Sequence, residues 1–154
     1  NQTGKTGETN DGMDIAFCCI NSETLEMSFA GAHNPCWIFR QNSTQSFGEN
    51  IINFIELPAD KMPVGIFIKE KEFTEHVFQL QKGDTFYIFS DGYHSQFGGE
   101  KGEKFKVKRL QETLFKIQDK DLQAQKEILD KTIIDWQGRN EQTDDILIIG
   151  VKSN

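Results

Sequence analysis

Apolar residues recur along this chain with two different periods. Short apolar or alternating runs bounded by turn residues fall at 14–20, 25–30, 36–40, 51–57, 72–80 and 85–90, and each predicts a strand. In Leu25, Met27 and Phe29 the period is two, so that strand has one buried face. The polar link 21–24 is short enough to join the first two strands as a hairpin. Phe86-Tyr87-Ile88-Phe89 is apolar on both faces, which predicts a central strand covered on both sides. Beyond Gly102 the period lengthens: 104–118 and 121–136 are rich in Lys, Gln, Leu and Glu and lack Gly and Pro. In the second of these, Leu122, Leu129, Ile133 and Trp136 share one helical face, and Gly138 is placed to stop the helix. The run 146–151 returns as a buried strand. Several strands, a helical pair and one last strand predict an α+β layered domain. The stretch 41–50 reads as a polar loop, and no repeat or low-complexity segment interrupts the order.

A length of 154 residues suits one domain with a substantial core. Thirteen Phe against three Pro fit the β-rich reading. Seventeen Lys and Arg against 24 Asp and Glu leave a net charge of −7, with a pI near 5.0. That balance argues against a nucleic-acid partner, which needs a basic surface to displace counterions. It favours clustered carboxylates, and hard cations are one partner for them. No run approaches the roughly 18 to 20 apolar residues of a membrane helix, so no membrane partner is expected for this segment. Nothing at the start reads as a basic-then-apolar leader, and the expected location is cytoplasmic. Three cysteines, an odd count, make no disulfide framework. Cys18, Cys19 and Cys36 match no zinc spacing and read as small buried hydrophobes.

The sharpest local feature is Phe89-Ser90-Asp91-Gly92. A fully apolar strand delivers Asp91 at its carboxyl end, and Gly92 permits a sharp turn or close backbone approach. Asp144-Asp145 stand just before the last buried strand. If those two strands pair antiparallel, Asp91 and Asp144/Asp145 meet at one rim of the sheet. Carboxylates gathered this way repel unless cations or protons neutralise them, and an all-oxygen set favours Mg²⁺, Mn²⁺ or Ca²⁺. The alternative is a solvated turn cap at Asp91 and a solvated strand cap at Asp144.

Six segments occur in a fixed order: Asp11-Gly12-Met13-Asp14-Ile15-Ala16, Ala30-Gly31-Ala32-His33-Asn34-Pro35, Lys61-Met62-Pro63-Val64-Gly65, Phe89-Ser90-Asp91-Gly92-Tyr93, Gln96-Phe97-Gly98-Gly99 and Gln142-Thr143-Asp144-Asp145-Ile146. Together they resemble the SpoIIE-type branch of the metal-dependent serine/threonine protein phosphatases, relatives of the type 2C enzymes, over about residues 11–151. The resemblance implies an α-β-β-α sandwich of two stacked antiparallel sheets with helices outside. It implies hydrolysis of phosphoserine or phosphothreonine by a water that two Mn²⁺ or Mg²⁺ ions activate, with no side-chain nucleophile. Asp91 and Asp144 fall on metal-ligand positions, with Gly92 shaping the turn and Asp145 a secondary carboxylate. The implied partner is a phosphorylated bacterial regulator, such as an anti-sigma-factor antagonist.

Two features depart from that pattern. Family members carry, well upstream, an Asp-containing motif that bridges both metals, followed by long helices. Residues 1–12 hold only Glu8 and Asp11 as acids. They read as a polar lead-in, with 13–152 as the carboxyl-terminal portion of the phosphatase domain. The expected fold is therefore a partial sandwich without the first metal-ligand segment and early helices, and the chain alone is expected to be nearly inactive. In addition, the position four after the motif Asp is usually acidic, and here it is Ser95. These departures favour a competing expectation: a non-catalytic regulatory or interaction domain on the same scaffold. Association of copies through exposed core or a sheet edge is a further expectation, as is membrane attachment of a longer protein through upstream domains.

The remaining candidates divide between ordinary and functional roles. Asp11 and Asp14 occupy positions where related phosphatases place an accessory metal ligand; otherwise they belong to a solvated loop. His33 sits in a polar turn where bonding to backbone is ordinary, with a role near phosphate as the alternative. His94 follows Asp91 closely and reads first as an ordinary surface residue, with a proton shuttle as the alternative, and His76 reads as a plain strand residue. Gly4-Lys5-Thr6 resembles a phosphate loop but lacks the earlier glycine and the following helix pattern. Lys104, Lys106, Lys108 and Arg109 read as a solvated helix face or as a docking patch for an acidic or phosphorylated partner.

Overall fold

The computed structural model describes residues 12–43, 50–65 and 71–154. Nine strands and three helices are defined there: β1 (Ile15–Ile20), β2 (Glu26–Ala32), β3 (Cys36–Ser43), β4 (Asn50–Leu57), β5 (His76–Gln79), β6 (Thr85–Phe89), α1 (Gly92–Ser95), β7 (Phe97–Gly98), β8 (Glu103–Lys104), α2 (Val107–Lys116), α3 (Leu122–Gln137) and β9 (Ile148–Lys152). All sheet pairings are antiparallel. They form a three-stranded sheet in the order β1-β2-β5, a four-stranded sheet β4-β3-β6-β9 and the small hairpin β7-β8.

Alternation of side chains along β3 and β6 builds two cores from one sheet. Cys36, Ile38 and Phe86 point at Met27, Phe29 and Leu80, and fill the space between the sheets. Trp37, Phe39, Tyr87 and Phe89 point the other way, onto Leu110 and Leu114 of α2 and Leu129 and Ile133 of α3. The central strand predicted from Phe86–Phe89 is thus covered on both faces. The layers run sheet, sheet, helices, an α+β sandwich with helices over one outer face among the described residues. Asp121 caps α3 by accepting the Ala124 N–H at 2.8 Å. At the other end the Gly138 N–H closes the helix on the Ile134 carbonyl.

Several boundaries differ from the sequence pattern, each for a local reason. Of the loop expected at 41–50, Gln41, Asn42 and Ser43 instead continue β3 and pair with Ile52, Ile51 and Asn50, since backbone pairing needs no apolar side chain; 44–49 lie outside the described residues. The strand expected over 72–80 pairs only at His76–Gln79. Upstream of it, Asp60 takes both the Thr74 N–H at 2.7 Å and the Thr74 hydroxyl at 3.1 Å, which commits that backbone elsewhere. The helix expected from Lys104 begins at Val107. Glu103–Lys104 is spent on the β7-β8 hairpin, and Lys106 takes a positive φ of 76°.

The cysteines also need a correction. Cys36 is buried and Cys18 half-buried, but Cys19 is exposed, because the period-two alternation turns it away from the core that Cys18 faces. Hydrogen bonding to Cys36 lowers the Cys18 thiol pKa; the same contact, then burial, pushes Cys36 up.

A buried ion pair fixes the end of the sandwich where β5 leads into β6. Asp84, 1% exposed, accepts Arg40 Nε at 2.9 Å, Arg40 Nη2 at 2.7 Å and the Gln81 N–H at 2.8 Å. The Asp84 hydrogen bonds raise the Arg40 pKa against the opposing effect of burial. Deeper in the helix-side core, Tyr87 donates to Gln125 and accepts from Gln118 Nε2 at 2.8 Å. Burial raises its phenol to about 12, so it is a neutral structural group at any physiological pH.

Candidate functional site

The β6–β9 register decides the question left by the sequence. Phe89 pairs with Ile148 and Thr85 with Lys152, so the exit of β6 lies beside the start of β9. Ser90 then stitches the two strand ends together. Its N–H donates to the Leu147 carbonyl at 3.0 Å, its hydroxyl donates to the Asp145 carbonyl at 2.7 Å, and the same oxygen accepts the Leu147 N–H at 3.0 Å. Asp91 leaves this stitch as the residue before α1, and Asp144 and Asp145 run into it from the other side. The sequence-predicted rim therefore exists as a backbone arrangement.

Gly92 is the contact point between the halves. A Cβ at this position would lie 2.3 Å from the Asp145 carbonyl oxygen, a distance no side chain tolerates. Only glycine lets the Asp91 turn sit this close to the Asp144-Asp145 segment. The carboxylates themselves are lightly engaged. Asp91 Oδ2 lies 3.5 Å from Ser95 Oγ, at the outer limit of a hydrogen bond. Asp144 Oδ1 accepts only the adjacent Asp145 N–H, at 2.7 Å, and all three aspartates are exposed. Oxygen donors with free lone pairs on a glycine-cradled turn suit a hard divalent cation. No group of three or more acidic, His or Cys side chains gathers in a metal-holding cluster among the described residues.

Topology brings further candidates to the same end of the sandwich. Cys36 at the start of β3 pairs with Ile88 near the exit of β6, and the turn His33–Pro35 leads into Cys36 from the end of β2. Ile15, at the start of β1, pairs with Ala32 at that same end. Asp14 and His33 meet there, His33 Nδ1 lying 2.8 Å from Asp14 Oδ1 with both side chains well exposed. His33 holds a positive φ of 59°, and its N–H donates to the Asp60 carbonyl at 2.9 Å. Asp11 lies outside the described residues. His76 pairs with Phe29 across β2 and β5 and stacks on its ring.

His94 is half-buried on α1, edge-on to Phe89. Burial lowers its pKa first of all; the Asp91 charge pulls it up and the Lys104 charge pushes it down. The sequence pattern missed two features of this region. Ser90 as the rim stitch was legible in principle, as the one polar residue between an apolar strand and Asp-Gly. The four-residue α1 and two-residue β7 and β8 are too short for any periodicity to register.

The architecture is thus a two-sheet antiparallel sandwich with helices outside and aspartates at one rim among the described residues. The family model for stage II sporulation protein E (SpoIIE) matches residues 3–154, and the chain belongs to that family. Among solved structures, the SiaA PP2C domain of Pseudomonas aeruginosa superposes with a TM-score of 0.77 at 26% identity, over 92% of this chain and 52% of that one. The phosphatase domain of the cell-fate determinant SpoIIE from Bacillus subtilis matches with a TM-score of 0.59 at 17% identity, over 92% of this chain and 58% of that one. Its manganese-presoaked form matches at 0.58 and 17%, over 90% and 56%. The chain thus spans little more than half the length of these structures. No curated protein matched it. Fold and family together make it a phosphatase-like domain.

Proposed function

We propose that this chain is part of a metal-dependent protein serine/threonine phosphatase, with Asp91 and Asp144 as ligands for Mn²⁺ or Mg²⁺. The observation that carries the reading is the Ser90 stitch with Gly92 against the Asp145 carbonyl, which sets the two aspartate segments side by side. A bound divalent cation would acidify a coordinated water and offset charge on phosphoryl oxygens. The chain's own residues position and insulate. Gly92 permits the approach, Ser90 fixes the register, Asp145 adds carboxylate charge beside Asp144, and Phe89 backs the turn through His94. Asp14 and His33, at the same end of the sandwich, form an accessory polar pair.

The substrate class is a phosphorylated regulatory protein, of the kind that an anti-sigma-factor antagonist represents, met in the cytoplasm. Two carboxylates make a sparse ligand set, so slight turnover is expected from these 154 residues alone. Ser95 and the absence of a three-ligand cluster among the described residues favour one second reading, a non-catalytic interaction domain on the same scaffold. The test is phosphate release from phosphoserine, phosphothreonine and phosphotyrosine peptides by the natural protein in Mn²⁺, with Asp91→Ala and Asp144→Ala beside it. The phosphatase reading expects release from the first two substrates and loss in both variants. Undiminished release in the variants, or none in the parent, turns the assignment to the interaction domain.

A further inference from the structure

A basic segment is tied to the chain that follows Asp91, and the site described so far uses only its Lys104 charge on His94. Between residues 103 and 109 stand Lys104, Lys106, Lys108 and Arg109 against Glu103 alone, a local charge of +3 on a chain whose net charge is −7. Backbone bonds fix where this segment lies. Lys104 pairs with Phe97 across the β7-β8 hairpin. The Phe105 N–H donates to the Gln96 carbonyl at 2.9 Å, and the Lys106 N–H donates to the His94 carbonyl at 2.8 Å. The basic segment is thus fastened to the six residues that follow Asp91.

The four cations are not equivalent. Glu103 takes Lys106 at 3.1 Å and Arg109 at 2.7 Å, and the Arg109 guanidinium lies 4.2 Å over Trp136. Those two have structural posts. Lys108 reaches Glu112 only at 4.0 Å, with 85% of its side chain exposed. Lys104 has no carboxylate within ion-pair distance among the described residues. Its ammonium hangs 5.7 Å above the Phe97 ring. Phe97 and Val107, 41% and 45% exposed, add apolar surface beside the charges.

We propose that Lys104 and Lys108, with Phe97 and Val107, dock an acidic stretch of the phosphoprotein substrate beside its phosphorylated residue. The proposal rests on the phosphatase reading and extends it to substrate choice. Charge complementarity carries it: an acidic partner is repelled by a −7 surface at large and attracted where the local sign reverses. The small reach of such fields in salt, about 8 Å at physiological strength, confines the preference to residues flanking the phosphate.

The test is fluorescence anisotropy with four peptides: a phosphoserine flanked by glutamates, the same flanked by glutamines, and the unphosphorylated form of each. Each is titrated with the chain with and without Mn²⁺. The glutamate flanks are expected to tighten binding about tenfold, with a steep salt dependence. Lys104→Glu with Lys108→Glu removes that preference, while the charge-matched control Lys126→Glu with Lys131→Glu on α3 keeps it. Lys104→Gln alone gives an intermediate loss and serves if the double variant unfolds. A preference that survives in the Lys104 variants, or an oligonucleotide held as tightly as the acidic peptide, overturns the docking surface. The two readings fail separately. Flank-dependent binding that ignores phosphate and Mn²⁺ keeps the surface and counts against the phosphatase. Phosphate- and Mn²⁺-dependent binding that ignores the flanks keeps the phosphatase and removes the surface.

Discussion

Trp37, Phe39, Tyr87 and Phe89 leave the four-stranded sheet toward α2 and α3 and retain at most 4% of their surface. Ile15, Phe17 and Val77 leave the three-stranded sheet toward the outside and keep 36%, 65% and 62%. The side chains are chemically alike; what differs is the layer over them. One sheet is clamped between two cores, whereas the other has a core on one side and, among the described residues, no helix on its outer face. The aspartate rim is built from the clamped sheet, where β6 and β9 hold Asp91 and Asp144 through backbone pairs. A site that must hold charges close together benefits from a platform packed on both faces, since dense packing resists small displacements.

That contrast can be broken by substitution. Phe39→Ala removes a fully buried ring from the helix-side core and is expected to cost about 3–5 kcal/mol, read as a lower denaturant midpoint at unchanged slope. Phe17→Ser on the bare face is expected to change stability by no more than about 0.5 kcal/mol. A cost for Phe17→Ser matching that of Phe39→Ala would show that something covers the three-stranded sheet after all. Between these extremes stands Gly92→Ala, whose added methyl must displace the Asp145 carbonyl. Its expected cost is about 1–3 kcal/mol, with weaker Mn²⁺ binding as the more specific sign. Calorimetry showing unaltered Mn²⁺ affinity would detach Gly92 from the site.

A smaller effect follows from His94. Burial holds its folded pKa below the ordinary imidazole value, so the unfolded chain binds more protons in the window just below about pH 6.5. Stability contributed by the neutral ring is present above that pH and is lost as pH falls through the lowered folded value. His94→Gln should therefore flatten the acid side of the stability profile below about pH 6.5. An unchanged slope in the variant would place the titration elsewhere.

The sequence pattern was informative wherever apolar side chains decided the outcome. Phe86–Phe89, with no polar residue in four, announced a strand covered on both faces, and the spacing of Leu122, Leu129 and Ile133 announced the buried side of α3. It was blind where backbone or polar contacts decided. Gln41–Ser43 extend β3 through main-chain pairing, Thr74 is drawn off β5 by Asp60, and α1 with β7 and β8 occupy too few residues to show a period. The rim was half legible. Asp-Gly after an apolar strand and Asp-Asp before another pointed to it, but their meeting depended on an antiparallel register that no single segment encodes. Asp14 and His33, 19 residues apart, come together only because β1 pairs with β2.

The most direct test of the rim is isothermal calorimetry of Mn²⁺ into the chain and into Asp91→Ala and Asp144→Ala. Weak binding to the parent and its loss in both variants, with folding intact by circular dichroism, is the predicted result. Equal affinity in all three proteins, or no binding heat from the parent, would contradict the assignment of Asp91 and Asp144 as metal ligands.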